Sequence, residues 1–108
     1  MTYRIILTGP ADRDIRDCIR WWRINRSSEQ AARWADRVFP ALASLRQSPE
    51  RCIPAPESDL FATGLRQLHF GVGRRTTHRI LFTIVDDEVR VLRVRHIAQQ
   101  ELSLDDFS

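Results

Sequence analysis

Lysine is missing altogether from this chain of 108 residues, so all 17 of its basic residues are arginines. Arginine-favouring codon usage accounts for such a bias, and the chemical consequence is the same whatever its origin. Every cation is a planar fork suited to carboxylates, phosphates and base edges. Cysteine is scarce, with only Cys18 and Cys52. That is too few for the disulfide framework of a small secreted domain, so free thiols and a cytoplasmic location are expected. Long apolar runs are lacking, and none approaches the roughly 18 residues of a membrane helix. Pro10 and Asp12 cut short the apolar opening stretch, which excludes the layout of a secretory signal. Only four glycines are present. They form neither G-x-x-x-x-G-K nor G-x-G-x-x-G, and Gly71-Val72-Gly73 has no helix after it, so no nucleotide-binding loop is read. No Cys or His pair has metal-site spacing, and neither a metal nor a cofactor is expected.

Hydrophobic residues make up 43% of the chain and charged residues 29%, a globular composition matched to one domain over residues 1–108. The net charge of +3 and a pI near 9.6 lean toward an acidic partner, either nucleic acid or an acidic protein segment.

Residues 3–8 are apolar and β-prone and read as a strand, stopped by Gly9-Pro10. Residues 11–24 have helical period, with Ile15, Cys18, Ile19 and Trp22 on one stripe and charges elsewhere. Ser27 followed by Gln30 is a capping-box pattern, opening a second helix over about 28–47. Its stripe is Ala31, Trp34, Ala35, Val38, Leu42 and Leu45, and Pro40 is expected to kink it. So short a connection predicts an antiparallel helical hairpin. Three prolines between Ser48 and Glu57 mark an extended loop. The period then changes to two, predicting strands over 65–70, 77–85 and 89–96. Leu92, Val94 and His96 are assigned to one face of the last strand. The tail from Ile97 is acidic, with a short helical turn near Ser103 or no regular structure. The expected fold class is α+β, in the order β-α-α-β-β-β. Its helical hairpin packs on one face of a small antiparallel sheet and leaves the other face free.

The chemistry-bearing cluster is basic and lies on the last three strands: Arg66, His69, Arg74, Arg75, His78, Arg79, Arg90, Arg93, Arg95 and His96. Period two puts Arg93 and Arg95 on one face, and neighbouring strands can add Arg66 and Arg79. Guanidinium groups on a free sheet face can hold phosphates, and His96 at the strand end is the sharpest candidate for proton transfer. The plainer alternative is a solvated strand face that keeps the sheet soluble. Asp86-Asp87 and Asp105-Asp106 are read as turn and tail residues. Trp22 and Trp34 belong to helix stripes, whereas Trp21 lies off the stripe and can mark a protein contact.

Together these segments resemble the RelE/ParE superfamily of bacterial type II toxin–antitoxin toxins, and more closely its ParE-type plasmid-stabilisation proteins. The resemblance spans nearly the whole chain. It is carried by residues 3–8, by Ala11, Asp12, Asp14 and Ile15, by residues 65–68, and most strongly by residues 78–84 and 91–96. It implies a cognate antitoxin and growth inhibition, with a homodimer or a hetero-oligomer with antitoxin possible. It implies no membrane partner. RelE-like members cleave mRNA on the ribosome with basic residues and a tyrosine near the C-terminus. Arg66 and Arg79 match basic positions of that set, but Leu68 stands at another, residues 97–100 lack the basic run, and Tyr3 is the only tyrosine. ParE-like members poison DNA gyrase, with the C-terminal strand region implicated. Three readings follow. The first is a gyrase poison contacting its target through Arg79, Arg93, Arg95 and His96. The second is an mRNA endonuclease with Arg66, Arg79 and His96 as catalytic candidates. The third is a non-toxic relic that only binds an antitoxin.

Overall fold

A computed structural model of the chain describes residues 2–99 and 102–107. The first strand, β1, covers Arg4–Leu7. Helix α1 follows at once over Gly9–Asn25, its N-terminus capped by the Thr8 hydroxyl, which accepts from the Ala11 N–H. Pro10 occupies the first turn, where no amide donor is needed. After a tight turn α2 runs over Ser28–Ser44, capped by Ser27, whose hydroxyl accepts from the Gln30 N–H at 3.1 Å. Pro40 does not divide it.

The remaining strands are β2 (Ile53–Pro54), β3 (Arg66–Phe70), β4 (His78–Val85) and β5 (Glu88–His96). The spatial order is β1-β5-β4-β3-β2. The expected antiparallel meander is present as β3–β4–β5. The sheet as a whole is mixed, because β1 runs parallel to β5. The segment expected as plain loop contributes β2, paired antiparallel to β3 at the sheet edge, where proline is tolerated. It also forms short 3₁₀ turns at Pro49–Arg51 and Pro56–Leu60. Gly71, after β3, is demanded by close approach: a Cβ there would lie 2.3 Å from the Arg75 carbonyl oxygen.

The main core lies between hairpin and sheet. Ile15, Trp34, Val38, Leu42 and Leu45 from the helices meet Phe70, Ile80, Phe82, Val89, Val91 and Val94. A β-bulge interrupts the β4–β5 ladder. Leu81 pairs with Arg93 but Phe82 pairs with Val91, leaving Leu92 as an extra residue. The bulge overturns one expected grouping, since Val94 packs against the helices while Leu92 turns to the opposite side.

That opposite side is not free. A second core covers part of it, built from Ala55, Leu65, Leu81 and Leu102 with Phe61, Leu92 and Phe107 packed around them. Phe61 and Phe107 meet edge to face, their centroids 4.9 Å apart. Ala55, Phe61, Leu102 and Phe107 come from outside the strands, in segments with no period, which is why an open face was expected. The tail forms a 3₁₀ turn at Leu104–Phe107, close to the expected position. Gln100, part of the run 97–100, lies outside the described residues.

Leu102 is buried whereas Leu104 is 57% exposed. Leu102→Ala is expected to cost about 2–3 kcal/mol in urea denaturation and Leu104→Ala less than about 0.5 kcal/mol. Equal effects would show that the tail is not packed as described.

Candidate functional site

The ladder fixes which basic residues meet. Arg79 pairs directly with Arg95, and Leu81 with Arg93, so the three arginines share the side of the sheet away from the hairpin. Arg66 pairs with Phe82 and alternates onto the other face. Its Nη1 donates to the carbonyls of Cys52 (2.7 Å) and Glu50 (3.2 Å), which ties β3 to the preceding loop. Arg90 pairs with Glu88, and Arg74 and Arg75 are exposed in the turn before β4. The ten basic candidates therefore do not form one continuous surface.

Arg79 and Arg93 each bind a carboxylate. Arg79 and Glu57 are both buried, and the guanidinium donates twice to the carboxylate, at 2.8 and 2.5 Å. Gln67 Oε1 accepts a further bond from Arg79 Nη1, and Glu57 Oε2 accepts the Leu102 N–H at 2.9 Å. Burial alone would raise the Glu57 pKa. The bonds from Arg79 and Leu102 outweigh it and hold the carboxyl below its ordinary range. Arg93 donates from Nε and Nη2 to Asp14 of α1 at 2.6 and 3.0 Å, and from Nη1 to the Asp106 carbonyl. Asp14 also accepts the Val94 N–H, capping the stretch of β5 that extends past β1. Glu57 and Asp14 carry no motif. Glu57 sits in a proline-rich segment and Asp14 among surface charges of a helix, so no signal in the sequence singled them out.

Arg95 and His96 end β5 at the wall of a groove of about 600 Å³. Asp17, Cys18, Trp21 and Trp22 of α1, Trp34 of α2, and His78 complete much of its lining. Burial, then the neighbouring Arg93, lowers the Arg95 pKa, although the group stays charged. His78 lies 5.4 Å from Trp34, 5.5 Å from Phe70 and 5.0 Å from His96, measured between ring centroids. Its Nδ1 accepts from the Trp34 indole N–H at 3.5 Å and lies 2.8 Å from the Thr77 hydroxyl. Indole nitrogen only donates, so the His78 proton is assigned to Nε2, 3.7 Å from Cys18 Sγ. Burial, with His96 adding to it, pulls the His78 pKa down to about 4. The Cys18 thiol is pushed up to about 11 by burial and is inert at neutral pH. His78 is thus a neutral wall residue with its nitrogens engaged, while His96 is exposed at the mouth and accepts the Ala98 N–H on Nδ1. Among the described residues, no group of three His, Cys, Asp or Glu side chains could hold a metal ion.

The profile described as the ParE toxin of the type II toxin–antitoxin system parDE matches residues 5–101. The chain belongs to the ParE toxin family. Its fold is similar to a structure from the chromosomal ParDE toxin–antitoxin system of P. aeruginosa, with TM-score 0.70 and 16% identity, covering 89% of this chain and 97% of that one. It is also similar to a structure of the RelBE2 toxin–antitoxin complex of Mycobacterium tuberculosis, with TM-score 0.54 and 25% identity, covering 92% and 95%. No curated sequence matches the chain. Among the described residues of this ParE-family toxin, no helix is long and apolar enough to cross a membrane.

Two outcomes follow for the toxin. Glu57→Ala strands a buried guanidinium and is expected to cost about 3–5 kcal/mol, whereas Glu57→Leu combined with Arg79→Met recovers much of it. Denaturation of both variants checks this. For His78, the folded pKa lies below the unfolded one, so between about pH 6.5 and about 4 the unfolded state binds more protons. Stability is full above that window and falls through it by up to about 1.4 kcal/mol per pH unit. His78→Phe is expected to flatten the profile. An unchanged slope would mean that other groups set it.

Proposed function

We propose that this toxin is a binding poison of DNA gyrase that acts in the cytoplasm and is neutralised by a cognate antitoxin. The observation that carries this reading is the state of Arg79. The guanidinium that would face a scissile phosphate in an mRNA endonuclease is buried against Glu57, and Arg66 is committed to two loop carbonyls. Cleavage needs a positioned acid and base beside a free cation. A poison that works by binding needs only a complementary surface. Membership of the ParE family supports the same choice.

Arg95 and His96 are the proposed target contacts, because they stand at the groove wall and the end of β5. Arg79 and Arg93 act through them as positioning residues: each is cross-linked to another segment and holds the strand bearing Arg95. The groove is proposed as the antitoxin's seat. Trp21, Trp34 and His78 in its lining take an apolar side chain, and Arg26 and Arg95 beside them attract an acidic flexible segment that folds as it binds. Antitoxin capture would then cover the same strand end that meets the target.

In a supercoiling assay with purified gyrase, the toxin is expected to suppress supercoiling and accumulate cleaved DNA complexes, and Arg95→Ala or His96→Ala to weaken this at least tenfold. Gyrase left untouched while translated transcripts are cut in codon phase would replace this reading with the endonuclease. Induced expression without growth arrest would leave only antitoxin binding.

A further inference from the structure

Helix α1 carries arginines at 13, 16, 20 and 23, spaced three, four and three residues apart. At 100° per residue these positions fall within an arc of about 80°, so the four form one stripe. All four are exposed, and the stripe runs for about 15 Å along the helix at 1.5 Å per residue. The opposite side of the helix holds Ala11, Ile15, Cys18 and Trp22, packed into the main core. The flank bearing Asp14, Asp17 and Trp21 faces the groove. The stripe is therefore separate from both the core contact and the proposed antitoxin seat.

Its charges are not accounted for by the fold. Among the described residues, Arg16 alone of the four makes an ion pair, with Asp12 at 3.0 Å, and that pair is exposed and easily exchanged. Arg79 and Arg93, by contrast, are each bound to a carboxylate inside the fold. Four like charges on successive turns repel one another, so the stripe costs stability unless an anion lies along it.

We infer that the outer face of α1 is a docking surface for the sugar–phosphate backbone of duplex DNA, engaged through Arg13, Arg16, Arg20 and Arg23. A protein partner would need apolar anchors to bury, and the stripe has none along its length except Ile24 at its end. A nucleic-acid backbone needs only cations at intervals. Each strand places a phosphate about every 3.4 Å of axis, so a 15 Å stripe spans four or five of them. Guanidinium forks match phosphate oxygens two at a time. Binding of this kind positions the protein without reading sequence. It is independent of which cellular target the toxin has, because it needs no protein other than the toxin.

The test uses the full chain purified free of antitoxin, a fluorescent duplex of about 20 base pairs, and anisotropy titrations between 50 and 200 mM salt. Four phosphate contacts predict a slope of log K against log salt of about −3 to −4. The variant R13Q/R20Q/R23Q is expected to bind at least tenfold more weakly at 50 mM salt and to lose two to three units of slope. The charge-matched control R4Q/R37Q/R46Q is expected to change affinity less than threefold. Glutamine preserves helix propensity, far-UV circular dichroism checks folding, and the single variant R20Q should lower the slope by about one unit. Equal losses in the two triple variants would reduce the effect to net charge and overturn the inference. So would a wild-type chain that ignores duplex DNA at 50 mM salt, or one that binds poly-glutamate of equal charge as tightly.

Discussion

The buried bond between Arg79 and Glu57 organises the side of the sheet that faces away from the helices. Both side chains are almost fully enclosed, at 7% and 1% exposure. Two opposite charges removed from water repay their desolvation only when the geometry is close and every remaining lone pair has a donor. Here the guanidinium is bidentate, Gln67 takes a further N–H, and the Leu102 amide fills the second carboxylate oxygen. One carboxylate thereby pins three separate parts of the chain: the Pro56–Leu60 turn, the centre of the sheet, and the tail. The second core assembles around that pin, because Ala55, Leu65, Leu81 and Leu102 can close over the sheet only once those segments are held.

A second anchored carboxylate does comparable work at the other end. Asp14 takes two bonds from Arg93 and one from the Val94 amide, fastening α1 to the part of β5 that β1 does not cover. An uncovered strand edge invites pairing with another chain, and a side-chain cap from a helix is one way of closing it. The bulge at Leu92 makes the arrangement possible. It sends Leu92 into the second core while Val91 and Val94 both remain in the first, and it leaves Arg93 opposite Leu81 with its guanidinium on Asp14 of α1. The groove wall that ends in Arg95 and His96 owes its placement to these contacts.

The arginines consequently fall into three populations with different physical duties. Arg79 and Arg93 are spent inside the fold, where they set backbone positions. Arg66 and Arg51 bind loop carbonyls and shape irregular backbone. A third population, which includes the α1 stripe, is exposed to solvent. A free guanidinium is a recognition group and an enclosed one is a structural fitting, so composition alone says little about which residues meet a partner.

The order of elements was legible in the linear chain. Apolar stripes at three and four residues marked the two helices, period two marked β3 to β5, and Ser27, Pro10 and Gly9 marked their ends, because all of these depend on neighbours a few residues apart. The groove was only partly legible: Trp21 stood out as off the stripe, and His96 as a strand end. What tertiary structure alone decided was the partner of each charge and the covering of each sheet face. Glu57 meets Arg79 across 22 positions and Asp14 meets Arg93 across 79. No local period encodes such a meeting, since it exists only after the sheet has closed and the bulge has chosen which way each side chain points.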